Sequence, residues 1–288
     1  MENLFEQIKN SKEKFTKQQM AFADYVLKNA NEIAFLNVAD TAKQSKVSGA
    51  TIVRFCKTLG FKGYPDFAKQ TQQLIQSDLS AFNRYKLRSI LGKDIGHHPE
   101  KNSIFHKLLQ NEISNTVNLL ENINKKSYVA CLDLMVKADR FCILGSLASS
   151  PLAMYLGQNL SKLNFHTDIL YDSSITSFSA MEKLSPDSVV FLISFPRYPR
   201  EALKLGKYAK KKGAKVIVIT DTAISPAAAI ADISFFIPLN LLSFGESYTS
   251  PIAFLTVLCA EYSNRLPKGT AEKLQRYDEC SEALEFFN

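Results

Sequence analysis

Apolar positions recur at helical spacing through the first third of the chain. In residues 16–30, Met20, Ala23, Leu27 and Ala30 form one stripe with Phe22 and Val26 beside it, which predicts an amphipathic helix. Thr16 stands where an N-cap belongs, and Gln19 three residues later is compatible with a capping box. A shorter helix is predicted around Val38–Ser45, with Val38 and Ala42 on one face. Beyond Lys46-Val47-Ser48 a third runs from Gly49 to Leu59, with Ser48 as its N-cap and Gly60 able to terminate it. Its Ile52, Phe55, Cys56 and Leu59 face the core, whereas Ala50, Thr51, Arg54, Lys57 and Thr58 fall on the other side.

The pattern weakens between Ser89 and Ser103, a linker candidate containing Gly92, Gly96 and His97-His98-Pro99. A long helix is predicted over Ile104–Glu121 and a second over Ser127–Lys137. Then the period changes. Short apolar runs at Phe141–Leu144, His166–Leu170, Val189–Ile193, Val216–Ile219 and Ile233–Pro238 are mostly separated by helical stretches such as Leu152–Leu163 and Glu201–Lys212. Such alternation predicts strands buried on both faces of a parallel sheet. The expected architecture is an all-α helix-turn-helix domain over residues 1–80 and a linker and connecting helix over 81–110. An α/β domain with a mostly parallel five-stranded sheet flanked by helices, ending in a C-terminal tail, follows over 111–288.

Charge sharpens the division. The chain of 288 residues carries a formal +7, and residues 1–88 hold 14 Lys+Arg against 8 Asp+Glu, or +6. The remaining residues are close to neutral at +1. A small basic domain beside a near-neutral larger one suits a polyanion, most often nucleic acid; a solubilising face is the plain alternative. Met1 to Gln7 lack a basic segment followed by an apolar run, and no stretch approaches a membrane span, so a cytoplasmic protein is expected. Cys56, Cys131, Cys142, Cys259 and Cys280 are odd in number and widely spaced, which favours reduced thiols over disulfides or zinc. His97 and His98 have no third ligand nearby, so no metal is expected.

Two short helices joined by a tight turn, the second with small residues near its start and basic ones further on, suggest a helix-turn-helix for double-stranded DNA. The candidate contacts are Ser48, Gly49, Ala50, Thr51, Arg54, Lys57 and Lys62. Arg54 could reach a guanine edge or a phosphate, while Lys57 and Lys62 suit phosphates. An ordinary three-helix domain with a solvated basic face is the alternative. The run from Val47 to Phe67, with its Val-Ser, Ala-Thr-Ile, Arg-Phe, Leu-Gly-Phe and Gly-Tyr steps, resembles the MurR/RpiR family of bacterial transcription regulators. Lys46 stands where that family usually has Gly in the turn. If the backbone there takes φ > 0, Lys costs on the order of 1 kcal/mol.

In parallel α/β sheets ligands bind outside the carboxyl ends of the strands. Four loops there draw attention: Gly145 to Pro151, Ser194 to Arg200, Thr220 to Pro226, and Gly245 to Pro251 before the last long helix. Ser150 is expected as an N-cap with Pro151 at the first helical position, a helix start whose free N–H groups suit an anion. The candidate ligand set is Ser146, Ser149, Ser150, Ser194, Arg197, Glu246 and Ser250; each Ser, taken alone, could simply cap a helix.

Residues 140–264 resemble the sugar isomerase (SIS) domain, which follows the helix-turn-helix in that same family. Gly145, Ala148 and Ser149 match its first phosphate loop, although Leu147 stands where a small residue is usual. The second loop departs: Pro196-Arg197-Tyr198-Pro199 replaces the common Ser-Gly-x-Thr. Arg197 or Arg200 could grip a phosphate or carboxylate bidentately; Arg197 paired with a protein carboxylate, and an altered pocket, is the rival reading. The resemblance implies a regulator whose SIS domain senses a small anionic carbohydrate, a phosphosugar or sugar acid. Two helix-turn-helix modules would read successive major-groove faces, so a homodimer or homotetramer is expected.

The alternative, a sugar-phosphate isomerase with a basic accessory domain, needs a positioned base. His97, His98 and His106 lie outside the predicted sheet, and His166 begins a strand away from the loop edge. Glu246 is the one carboxylate to nominate. The expectation is therefore a non-enzymatic regulator with no catalytic residue and no cofactor.

Overall fold

The computed structural model describes residues 4–29, 33, 36–78, 104–163, 166–237, 239, 245–266 and 269–285. The linker candidate of residues 89–103, with His97 and His98, lies outside these. The chain divides into two units, Met1–Leu87 and Arg88–Asn288.

The first unit is helical: α1 (Leu4–Asn10), α2 (Lys17–Lys28), α3 (Val38–Ser45), α4 (Gly49–Thr58) and α5 (Tyr64–Asp78). Thr16 and Gln19 form the capping box of α2, with Gln19 N–H donating to Thr16 Oγ1 at 3.3 Å and Thr16 N–H to Gln19 Oε1 at 2.9 Å. Asn37 caps α3 by accepting from the N–H groups of Ala39 and Asp40, both at 2.9 Å. The core is aromatic. Phe55 of α4 meets Phe22 of α2 edge-on at 5.0 Å and Phe67 of α5 at 6.0 Å, so the three helices lock through one ring. Such pairs contribute about 0.5–1.5 kcal/mol beyond their buried area. Gly60 turns the chain out of α4 at φ +89°, a conformation costly for any residue with a Cβ.

The second unit opens with α6 (Ile104–Asn122) and α7 (Lys125–Lys137), and then strands and helices alternate. The order is β1 (Arg140–Leu144), α8 (Ser150–Ser161), β2 (Thr167–Leu170), α9 (Ile175–Glu182), β3 (Ser188–Ile193), α10 (Arg200–Lys211), β4 (Lys215–Thr220) and β5 (Ile233–Phe236). Two helices, α11 (Thr249–Arg265) and α12 (Thr270–Ala283), complete it. The five strands are all parallel, in the order β2-β1-β3-β4-β5. Successive residues enter opposite cores. Phe141, Ile143, Phe191, Ile193, Ile217 and Ile219 pack with α7, α8 and α11. Cys142, Leu144, Val190, Leu192, Val216 and Val218 pack with α9 and α10. This two-sided burial explains why the strands read as unbroken apolar runs rather than alternating ones.

Among the described residues no helix is long and apolar enough to cross a membrane, and no three His, Cys, Asp or Glu side chains gather as metal ligands. All five cysteines are free thiols, and burial pushes that of Cys56 up to about 12.

Candidate functional site

Two places carry chemistry, one in each unit. In the first, α3 and α4 are joined by Lys46, Val47 and Ser48. Lys46 has φ 56° and ψ 27°, the left-handed conformation. Val47 is buried beneath the turn, and Ser48 Oγ caps α4 by accepting from Thr51 N–H at 3.3 Å. Ile52, Phe55, Cys56 and Leu59 are buried, while Ala50, Arg54, Lys57, Thr58 and Lys62 are exposed.

Thr51 corrects the expected exposed face. It is only 8% exposed, because it sits one turn before Phe55, and its hydroxyl is held by Ser48 Oγ at 2.9 Å. It therefore serves the cap. Arg54 lies back along its own helix, with Nε donating to Ala50 O at 3.3 Å, a contact open to solvent. Tyr64, outside the candidate set, braces the motif: its hydroxyl bonds that of Thr41 in α3 and reaches the carbonyls of Ile33 and Leu36 at 3.3 and 3.1 Å. Burial pushes this phenol up to about 12.

The second place is the carboxyl edge of the sheet. With the order β2-β1-β3-β4-β5, the chain reverses direction across the sheet between β1 and β3, where parallel sheets leave a crevice. Leu144 pairs with Leu192, so Ser146 and Ser194 leave neighbouring strand ends. Gly145 is required here, since a Cβ would lie 2.8 Å from both Ser149 O and Ala153 Cβ. Ser146, Ser149, Ser194 and Ser250 are buried; Ser150 is partly exposed, and Arg197 and Glu246 are exposed.

Ser150 is not the N-cap. Leu147, at φ 52°, starts a 3-10 turn over Leu147–Ser149, and Ser150 is already helical, with Oγ donating to Leu147 O at 2.8 Å. The N–H groups of Ser149 and Ser150 bond Ser146 O and Leu147 O, so this helix start offers fewer free donors than expected.

The departing loop after β3 has its own logic. Tyr198 N–H donates to Phe195 O at 2.9 Å, closing a turn with Pro196 second and Arg197, φ 78°, third. That third position favours Gly. Among the described residues Arg197 has no ion pair with a carboxylate. The carboxylate nearby is engaged otherwise: Tyr198 donates its hydroxyl to Asp221 at 2.9 and 3.1 Å, and Thr220 Oγ1 donates to it at 3.1 Å. Burial raises the carboxyl of Asp221 above its ordinary range, and burial followed by the charge of Asp221 raises Tyr198. Neither residue is in the candidate set.

The loop before α11 joins this edge. Tyr248 donates its hydroxyl to Ala148 O, and Ser247 donates to Glu112 Oε2 on α6. Ser250 Oγ is bonded to Thr116 Oγ1, also on α6, at 3.2 Å, so Ser250 anchors the loop. Ser194 remains. It is fully buried, its N–H bonds Ile219 O at 3.0 Å, and its hydroxyl has no partner among the described residues.

Both halves match known domains in this order. Residues 2–78 match the helix-turn-helix domain of the rpiR family, and residues 134–259 match the SIS domain. The chain joins an RpiR-type helix-turn-helix domain to an SIS domain. An HTH-type transcriptional regulator of Clostridium perfringens is 27% identical over 229 residues, covering 80% of this chain and 79% of its own. The regulator HexR of Pseudomonas aeruginosa is 27% identical over 263 residues, 90% of this chain and 87% of its own. Among solved structures, NanR of Vibrio vulnificus complexed with ManNAc-6P shares the fold with a TM-score of 0.68 at 20% identity, covering 98% of this chain and 99% of that one. The sugar isomerase domain of an RpiR transcription factor from Sphaerobacter thermophilus has a TM-score of 0.58 at 24% identity, over 61% of this chain and 98% of its own. These relatives are named as transcriptional regulators.

Proposed function

We propose that this regulator binds operator DNA through α4 and that its SIS domain senses a small anionic carbohydrate, a phosphosugar or sugar acid, which alters that binding. It works in the cytoplasm as a homodimer or homotetramer. Ala50 and Arg54 approach base edges, Ser48 and Gly49 bring the start of α4 against the phosphate backbone, and Lys57 and Lys62 bind phosphates. Thr51 supports this set by fixing Ser48.

The observation that carries the effector reading is the Ser194 hydroxyl, fully buried and unpartnered at the β1/β3 crevice. Leaving such a group unsatisfied costs about 1–3 kcal/mol, which a bound anion accepting its proton would recover. Ser146 and Ser149 share that edge, and Ser150, Glu246 and Ser250 frame it. Arg197, exposed and without an ion pair among the described residues, supplies a bidentate clamp. That NanR was solved with a sugar phosphate is consistent with this class of ligand.

Calorimetric titration of wild type, Ser194→Ala and Arg197→Ala against ManNAc-6P, other hexose phosphates and sugar acids tests the reading. At least one compound is expected to bind wild type, with a loss of about tenfold or more in each variant. Binding unchanged in both variants overturns the site. The Ser194→Ala protein without ligand is expected to unfold at the same or a higher temperature, because its burial loses an unsatisfied polar group.

A further inference from the structure

The second unit is near neutral only in sum. Residues 200–215 hold seven Lys+Arg against the single Glu201, or +6, and the other residues from 89 to 288 hold 14 against 19, or −5. The basic segment is α10 with the turn into β4. The inner side of α10 is fixed by packing. Ala202, Gly206 and Ala209 are buried, and a Cβ on Gly206 would lie 2.8 Å from Leu192 Cδ2 of β3. At about 100° per residue, Arg200, Lys204, Lys207 and Lys211 fall within about 60° of one another on the opposite side. All four are exposed, and among the described residues none has an ion pair. Lys210, tied to Asp232 at 2.6 Å, stands on the flank.

This stripe works against its own helix. Like charges four residues apart, Arg200 with Lys204 and Lys207 with Lys211, repel each other. Arg200 is also the first residue of α10, at the positive end of the helix dipole. A merely solvated helix face ordinarily interleaves the two signs. Folding gains nothing from four cations in a row, so a bound polyanion is the compensation they point to.

We propose that α10 is a second DNA-contacting surface, binding the phosphate backbone of duplex DNA without regard to sequence. The inference rests on the reading that the chain binds DNA, and it adds contacts outside the helix-turn-helix. The four cations span about 16 Å of helix, over which one strand of a duplex presents about five phosphates. Lysines on flexible stems suit phosphates rather than base edges. Tyr208, 44% exposed beside the stripe, adds a hydroxyl that can donate to a phosphate oxygen. An anionic membrane fits less well. A helix lying in a bilayer surface buries an apolar face there, and the small apolar side of α10 is already packed inward.

Fluorescence anisotropy of the full chain with a long random duplex, titrated at several salt concentrations, tests this surface. Lys204→Ala, Lys207→Ala and Lys211→Ala together place a strong helix former at exposed positions, so the helical circular dichroism is expected to stay. Arg200 is left in place because it also borders the loop after β3. The slope of log affinity against log salt is expected to fall by about two to three, since each phosphate contact contributes about 0.9. Lys125→Ala, Lys126→Ala and Lys137→Ala, at exposed positions of α7, remove the same charge and are expected to lower the slope by less than about one. An equal fall in both triple variants, or no fall in the α10 variant, overturns this surface and leaves operator binding by α4 standing. A wild type that binds no duplex overturns both readings. Cosedimentation with phosphatidylserine vesicles that is lost in the α10 variant, while its slope on DNA stays that of wild type, assigns the stripe to a lipid surface instead.

Discussion

Asp221 shows how one residue at the sheet edge links structure to pH. Its carboxyl titrates near 3.8 when free, and burial raises it in the folded chain, with the Tyr198 hydrogen bond pulling it part of the way back. Between those two values the folded state holds a proton that the unfolded state has released. Stability therefore falls as pH rises through that interval. Asp221→Asn has no such titration, while its amide oxygen still accepts from Tyr198. The variant is expected to gain on wild type as pH climbs from 3.8 into the raised range, read from urea unfolding at successive pH values. A stability difference that stays constant with pH contradicts the assignment. This pair was not legible in the chain, because Tyr198 and Asp221 lie 23 residues apart and meet only once β3 and β4 are paired. Lys46 was legible only as a departure from the resembling family's Gly; its left-handed backbone is supplied by the structure. Leu147 misleads about Ser150 for the same physical reason: its positive φ inserts a 3-10 turn that spacing alone does not reveal.

At the scale of elements, periodicity carried most of the fold. The strands fall within about two residues of their apolar runs, most clearly the central β1, β3 and β4, whose burial on both faces leaves few polar positions to blur their limits. In α4 the same reasoning placed Ile52, Phe55, Cys56 and Leu59 inward, and failed at Thr51, where capping rather than amphipathicity decides the side. The proposed DNA-facing set is thereby narrowed to Ser48, Gly49, Ala50, Arg54 and Lys57, with Lys62 beyond. Two substitutions separate the roles on this helix. Lys57→Ala is expected to weaken binding about equally on operator and random duplex and to reduce the slope of log affinity against log salt by about one. Arg54→Ala is expected to cost about 1–3 kcal/mol on the operator and to relax preference at one base pair, because a guanidinium freed from the Ala50 carbonyl can fork onto a guanine edge. Fluorescence anisotropy with operator and scrambled duplexes at several salt concentrations checks both. Equal losses on both duplexes for Arg54→Ala would reassign it to the phosphates.

At the scale of the molecule, the +6 of the first 88 residues and the +1 of the remainder describe two devices that regulation must couple. An effector shifts operator binding only if it favours one arrangement of the dimer over another. The helix α6 is placed to convey that preference. Its inner side holds the Gly245–Pro251 loop through Glu112 to Ser247 and Thr116 to Ser250, and its outer side carries an exposed apolar stripe of Phe105, Leu109, Ile113, Val117 and Leu120. A ligand that draws this loop toward Ser194 would pull on α6 and so alter the spacing of the two subunits. Helix-turn-helix dimers depend on that spacing, because their half-sites lie about 10–10.5 base pairs apart on one face of the duplex. Ser247→Ala removes one of the two loop ties without touching Ser194, Arg197 or the α6 stripe. It is expected to leave effector affinity and dimerisation within about twofold of wild type. The change in operator affinity caused by saturating effector, typically about 1–3 kcal/mol in coupled systems, is expected to fall by half or more. Operator titrations with and without effector measure that difference directly. Full coupling in Ser247→Ala, with effector binding unchanged, would mean that the signal leaves the sheet edge by a route other than α6.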